Sequence, residues 1–222
     1  MIKFEHADVF NIMGAVRGMR NPLNSWHLSD SGATFEEVEY NDGTVKREAV
    51  YKIGEKDLDL MHRLISAGPS HRKFLRQIFV CVDITAPLYW WKECDQYKIS
   101  TTTNSCSTMH KIQAKEFVME DFSAEHLMTD DRYDWTKPMK CTIEALNAAR
   151  SLFLATSDKK YWWQMIQLLP SSYNQKRTIT MDYETLLNIY ETRKNHKLDE
   201  WNKFREWILT LPYTKELFEN DH

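Results

Sequence analysis

The sequence predicts a mixed α/β (α+β) fold, a central antiparallel or mixed sheet flanked by helices, on three grounds. The apolar run from Ile78 to Thr85 leads through Ala86-Pro87 into helix-forming residues. Two strand-like arms flank Asn41-Asp42-Gly43-Thr44, a hairpin signal. Helical periodicity then dominates from about residue 142 onward, interrupted by one short β-type stretch. With 222 residues, no internal repeat and no low-complexity segment, the chain reads as a single domain over 1–222 with material for a sizeable core.

In chain order, residues 2–10 read as a first strand and Asn11 to Arg20 as a short helix ended by Asn21-Pro22. Phe35 to Tyr40 and Val45 to Tyr51 form the hairpin arms, with Glu36, Glu37 and Glu39 facing Lys46 and Arg47. Glu55 to Ala67 is a helix with Leu58, Met61, Leu64 and Ile65 on its apolar face and Gly68 as its stop. Ser70 to Arg76 adds a helical turn or two. Ile78 to Thr85 is the strongest strand, and Pro87 suits the first turn of the helix that follows. Residues 112–141 are acidic and irregular, a solvated loop with a lid over a site as the alternative. Helices follow at about 142–155 and 158–168, then a β-type stretch from Arg177 to Met181. Asp182 is placed to cap a helix carrying Tyr183, Leu186, Leu187 and Tyr190 on one face. A last helix, about 197–210, carries Leu198, Trp201, Phe204 and Ile208.

A formal net charge of -3 argues against general nucleic-acid binding, and no helix-turn-helix or aromatic RNA-binding signature is present. No apolar run approaches the roughly 18 residues of a membrane span, and the N-terminus lacks a secretion-signal pattern. Cys81, Cys94, Cys106 and Cys141 are widely spaced, which points to free, buried thiols in the cytoplasm and to no metal site, although Cys106 and His110 are close in sequence. All six glycines lie at or before Gly68, so neither a dinucleotide fingerprint nor a P-loop fits. Any bound nucleotide must be held by side chains and helix ends.

The candidate chemistry lies between Asp83 and Ser107: strand, Pro-started helix, then the hydroxyl- and amide-rich Thr101-Thr102-Thr103-Asn104-Ser105-Cys106-Ser107 loop. Ser107 has no glycine-flanked elbow and no evident base, so it reads as a hydrogen-bonding residue rather than a nucleophile. The doublets Trp90-Trp91 and Trp162-Trp163 read as core or subunit interface, with a stacking wall for a flat ring as the alternative. Basic residues at Arg72 to Arg76 and Arg193 to Lys197 are candidates to anchor an anionic ligand.

This order of parts resembles the flavin-dependent thymidylate synthases. In that family a hydrophobic-x-Ala-Pro step leads to a helix that ends in an Arg-His-Arg signature, followed by spaced Ser, Asn, Ser and Arg. Here Ile84-Thr85-Ala86-Pro87 supplies the step, and Gln96-Tyr97-Lys98 stands at Arg-His-Arg. With one extra loop residue, Thr102, Asn104 and Ser107 match the Ser, Asn and Ser, and Met109 or His110 replaces the last arginine. Phe74-Leu75-Arg76 matches a Phe-x-His step. Spacing from Leu169-Pro170 puts Asp182 at a usual asparagine and Arg193 at a nucleotide-binding arginine. The resemblance spans about residues 56–110 and 165–210.

The resemblance implies a homotetramer that binds FAD and a pyrimidine nucleotide. It implies methylation of deoxyuridine monophosphate (dUMP), with methylenetetrahydrofolate as carbon donor and NADPH as reductant. Ser107 takes the catalytic position, orienting the nucleotide with Thr102 and Asn104. Lys92, Glu93 and Arg193 contact its base or phosphate, and Arg76, Lys98 and Asp182 face the flavin. The alternative is a divergent nucleotide-binding or assembly protein on the same fold, with catalysis lost or altered.

Overall fold

The computed structural model describes residues 1–39 and 43–219. The chain is mixed α/β. Its strands and helices run β1 (Lys3–Phe10), α1 (Ile12–Met19), β2 (Gly32–Glu39), β3 (Val45–Lys52), α2 (Glu55–Ser66), β4 (Phe79–Pro87), α3 (Leu88–Cys94), β5 (Thr102–Ser105), α4 (Thr136–Thr156), α5 (Lys159–Leu168), β6 (Asn174–Asp182), α6 (Tyr183–Thr192), α7 (Asp199–Ile208) and α8 (Thr214–Phe218). One sheet has the order β1-β4-β6-β5, and β2 and β3 form a separate antiparallel pair. In that pair Glu37 stands opposite Arg47, and Lys52 binds Glu36 across the strands. Of the expected hairpin, Tyr40 at the end of the first arm and the tip residues Asn41 and Asp42 lie outside the described residues.

The chain divides into two compact units: Met1–Ala7 with Val82–Thr180 and Asn195–Phe204, and Asp8–Cys81 with Met181–Lys194 and Arg205–His222. In the first, Trp90 and Trp91 are buried, and Trp90 packs on Trp201 and Phe204 with ring centroids 4.9 and 5.6 Å away. These residues fill a core, as the first doublet led us to expect. A second cluster forms where α4 packs on α5: Leu146, Ala149 and Met165 close over Ile112, Phe117 and Phe122. Trp163 is 43% exposed, so the second doublet is only partly core.

In the second unit, α2 buries Asp57, Leu60, Met61 and Ile65. Leu58 and Leu64 are only half-buried. The helix is turned from the face its apolar residues predict because Asp57 is drawn inward. Its carboxylate binds the buried Arg20 at 2.5 Å and accepts hydrogen bonds from the hydroxyls of Ser29 and Ser31, each at 2.6 Å. Gly68 closes the helix at φ +92, where a side chain would be strained.

Four other expectations change. The polar stretch read as a loop contains a strand, β5, antiparallel to β6 with Thr102 opposite Thr180 and Asn104 opposite Thr178. β-branched threonines suit such a ladder. Pro87 ends β4 and caps α3 rather than opening it. The first helical N–H groups, of Leu88 and Tyr89, donate to the carbonyls of Tyr173 and Ser171. Helix α4 starts at Thr136 instead of about 142, because Asp134 accepts both the N–H (2.9 Å) and the hydroxyl (2.6 Å) of Thr136. Pro138 falls in its first turn, where no N–H donor is required. The short helix α8, past Leu211-Pro212, was not anticipated; it buries Leu217 and Phe218.

Candidate functional site

The first unit carries an open cavity of about 940 Å³. Part of its lining comes from the region the sequence singled out. Thr85 comes from the Ala-Pro step at the end of β4, and Cys106, Ser107 and Thr108 come from the segment after β5. Asn174 to Lys176 add the start of β6. The acidic segment supplies another wall, including Lys115, Asp121 and Phe122. That segment is pinned in place: Phe122 forms a β-bridge with Tyr173, their rings meet edge-on at 5.7 Å, and Ser123 N–H donates to Ser172 O. It therefore lines a site rather than trailing in solvent.

Ser107 is exposed to the cavity, and its hydroxyl oxygen accepts the N–H groups of Met109 (3.2 Å) and His110 (2.9 Å). With both lone pairs engaged, its proton is the part left to offer a ligand. No base is hydrogen-bonded to it among the described contacts. Ser107 is thus an oriented donor. Burial pushes the Tyr173 phenol up, with Asp121 and Cys106 adding to the shift, so this side chain also stays protonated and able to donate.

Charge around the cavity is balanced. Lys115 pairs with Asp121, and Lys176 pairs with Glu5 (3.3 Å) and Asp83 (3.2 Å). Hydrogen bonds from Thr178, His6 and Lys176 hold the Asp83 carboxyl down at about 2. Lys3 and Lys140 complete the cationic lining, and Glu120 and Glu125 the anionic.

The other sequence-expected site residues are dispersed. Thr102 and Asn104 lie exposed on β5 and do not line the cavity. Lys98 borders a separate pocket of about 160 Å³ with Tyr97, Thr101 and Thr103. Lys92 is exposed on α3, while Glu93 binds the Trp201 indole N–H at 3.0 Å and His196 at 3.4 Å. In the second unit, Arg76 is exposed and donates to Pro69 O, and Arg193 is half-buried at the end of α6. Asp182 is 2% exposed and accepts the Thr185 N–H at 2.8 Å, so it caps α6 as expected, which leaves its carboxylate in a structural role. Of the thiols, Cys94 is buried and Cys81 half-buried. Cys106 and Cys141 are exposed, contrary to the buried reading, one beside a cavity and one on the open side of α4.

Sequence reasoning missed Lys115, Phe122, Tyr173 and Gln175. The usable signal was the acidic segment itself: Phe117 and Phe122 are apolar residues set in it at a spacing no solvated loop requires.

The fold is that of the flavin-dependent thymidylate synthases. The chain is similar to thymidylate synthase X from Helicobacter pylori with FAD and dUMP, at a TM-score of 0.64 and 20% identity over 99% of this chain and 98% of that one. A second structure, the flavin-dependent thymidylate synthase from Helicobacter pylori complexed with FAD and dUMP, matches at 0.64 and 18% identity with the same coverage. No protein-family model matches the sequence, and no curated protein matches it. No helix among the described residues is long and apolar enough to cross a membrane.

Proposed function

We propose that the chain binds FAD and a pyrimidine nucleotide and methylates dUMP, with methylenetetrahydrofolate as carbon donor and NADPH as reductant. The observation that carries this reading is convergence. Thr85 and Ser107, from the two ends of the signature region, line one 940 Å³ cavity in a fold shared with enzymes whose structures hold FAD and dUMP. The cytoplasm is the compartment this reading implies, and a homotetramer the assembly.

The donor set fits a ring bearing phosphate. Phe122 and Tyr173 offer an apolar wall, Ser107 and Tyr173 offer donors to ring oxygens, and Lys115 and Lys140 offer charge to phosphate. The same residues would hold either the nucleotide or part of FAD. FAD, when bound, supplies the hydride. The protein's part is to orient the acceptor ring, keep Tyr173 protonated and exclude water.

A second reading, nucleotide binding without methyl transfer, is favoured by two features. Gln96 and Lys98 stand where guanidiniums are expected, and two of the cavity lysines are already paired with carboxylates. Absorbance spectroscopy with added FAD, and calorimetry with dUMP, separate the two. The enzyme reading requires an oxidised-flavin band on the reconstituted protein and heat on dUMP addition. Heat without flavin uptake at near-millimolar FAD favours the second reading, and neither signal ends both.

A further inference from the structure

We infer that Arg177 and Gln175 form a relay that positions the Cys106–Ser107 wall of the cavity; the ligand part of this inference rests on the nucleotide reading above. Arg177 lies on β6 with its guanidinium 4.3 Å from the centre of the Trp91 ring. Its Nη1 binds Asp95 at 2.7 Å, and its Nε donates to Gln175 Oε1 at 2.9 Å. Gln175 Nε2 then donates to the Cys106 carbonyl at 2.7 Å. The frame under this chain is rigid: the buried Trp91 donates its indole N–H to the Gln175 carbonyl at 2.9 Å, and Cys106 N–H donates to Lys176 O.

The order of these groups is chemically forced. A guanidinium can only donate and a backbone carbonyl can only accept. Glutamine carries one acceptor and one donor at its tip, and here each faces the matching partner. Gln175 is 7% exposed and Arg177's side chain 13%, so water does not readily substitute for either bond. The Cys106 peptide is the last link before Ser107, which lines the cavity. Fixing that carbonyl fixes where Ser107 points. Arg177 and Gln175 are therefore positioning residues, and the anchor for the wall is the face of α3 that carries Trp91 and its C-terminal neighbour Asp95.

Gln175→Glu is the discriminating variant. It retains the acceptor for Arg177 but has no donor for Cys106 O, so it cuts the relay at one bond while leaving the Arg177 stack in place. Arg177→Met is the companion variant. The readout is the alkylation rate of Cys106 by iodoacetamide, resolved by mass spectrometry and divided by the rate of Cys141, an exposed thiol on α4 outside the relay. General loosening accelerates both thiols and leaves the ratio unchanged. Cys106 is already exposed, so release of the wall shows as a change in its rate, in either direction, with the rate of Cys141 unmoved. Calorimetry with dUMP should show weaker binding in both variants. An unchanged ratio in both variants, with or without a lower melting temperature, overturns the relay. A changed ratio in protein that does not bind dUMP even as wild type supports the relay and sinks the nucleotide reading.

Discussion

Replacing Ser107 with alanine should separate binding from stability. The substitution removes a hydroxyl that accepts two backbone N–H groups, from Met109 and His110, at 3.2 and 2.9 Å. Both residues are exposed, so water takes over those N–H groups. The folding cost is then near the low end for a lost cap, about 0.5–1 kcal/mol. For a chain of this size that is a drop of roughly 2–4 °C or less in melting temperature. On the nucleotide reading, the hydroxyl proton left over by those two bonds is the donor that a ligand ring oxygen would lose. A hydrogen bond to a neutral ring oxygen is worth about 0.5–1.5 kcal/mol, which is about a two- to 13-fold rise in Kd. Calorimetric titration of dUMP into wild type, Ser107→Ala and Ser107→Thr measures it, alongside thermal melts of the unliganded proteins. The threonine variant keeps the hydroxyl and should retain most of the affinity. Equal affinity in wild type and the alanine variant, with similar melting temperatures, would show that the Ser107 proton faces no ligand and refute the reasoning.

Asp57→Asn removes the partner of a buried guanidinium, Arg20 being 4% exposed, and should cost about 3–5 kcal/mol in urea unfolding at neutral pH; a loss under about 1 kcal/mol would mean that Arg20 finds other acceptors. Because Asp83 is held at about 2 in the folded protein, below its unfolded value of about 3.9, its contribution is present above about pH 4 and is lost as pH falls through about 2. Asp83→Asn should therefore flatten that acid limb in pH-dependent melts, and an unchanged limb would assign it to other carboxylates. Arg193→Ala, at the end of α6 and outside the cavity lining, should leave dUMP affinity unchanged in calorimetry; weaker binding would make Arg193 a nucleotide contact after all. Light scattering at micromolar protein should give a tetramer mass, consistent with Trp163 being 43% exposed; a monomer mass removes the assembly.

Elements with strong local signals were readable from the sequence. The Pro87 step, the Gly68 stop and the Asp182 cap each act within a few residues, and the structure has all three, with Pro87 moved by one role. β5 was not readable, because Thr102 to Ser105 becomes a strand only through its partner on β6, some 75 residues away, as the pairing of Thr103 with Ile179 shows. The turned face of α2 was hidden for the same reason, since nothing near Asp57 in sequence announces Arg20. The site divides likewise. Thr85 and Ser107 carry short-range signatures, whereas Tyr173, Gln175 and Phe122 join the cavity through the bridge between the acidic segment and the residues before β6.

Two guanidiniums that could serve a phosphate are engaged elsewhere in this chain. Arg177 is stacked on Trp91 and bound to Asp95 and Gln175, and Arg72 is bound to Glu184 at 3.1 Å in the second unit. What the cavity offers instead is lysine, a point charge without the planar fork that grips two oxygens at once. Lys115 and Lys176 must also leave carboxylate partners to meet an incoming phosphate, so the net gain from each is the difference between two ion pairs. The phosphate therefore contributes less to affinity here than a bidentate arginine would provide. On the nucleotide reading, a ring set between the Phe122–Tyr173 wall and the Ser107 hydroxyl would contribute more. A nucleoside without phosphate should accordingly lose less affinity here than in a site built on arginine, and the affinity that remains should depend on the relay that holds Ser107 in place.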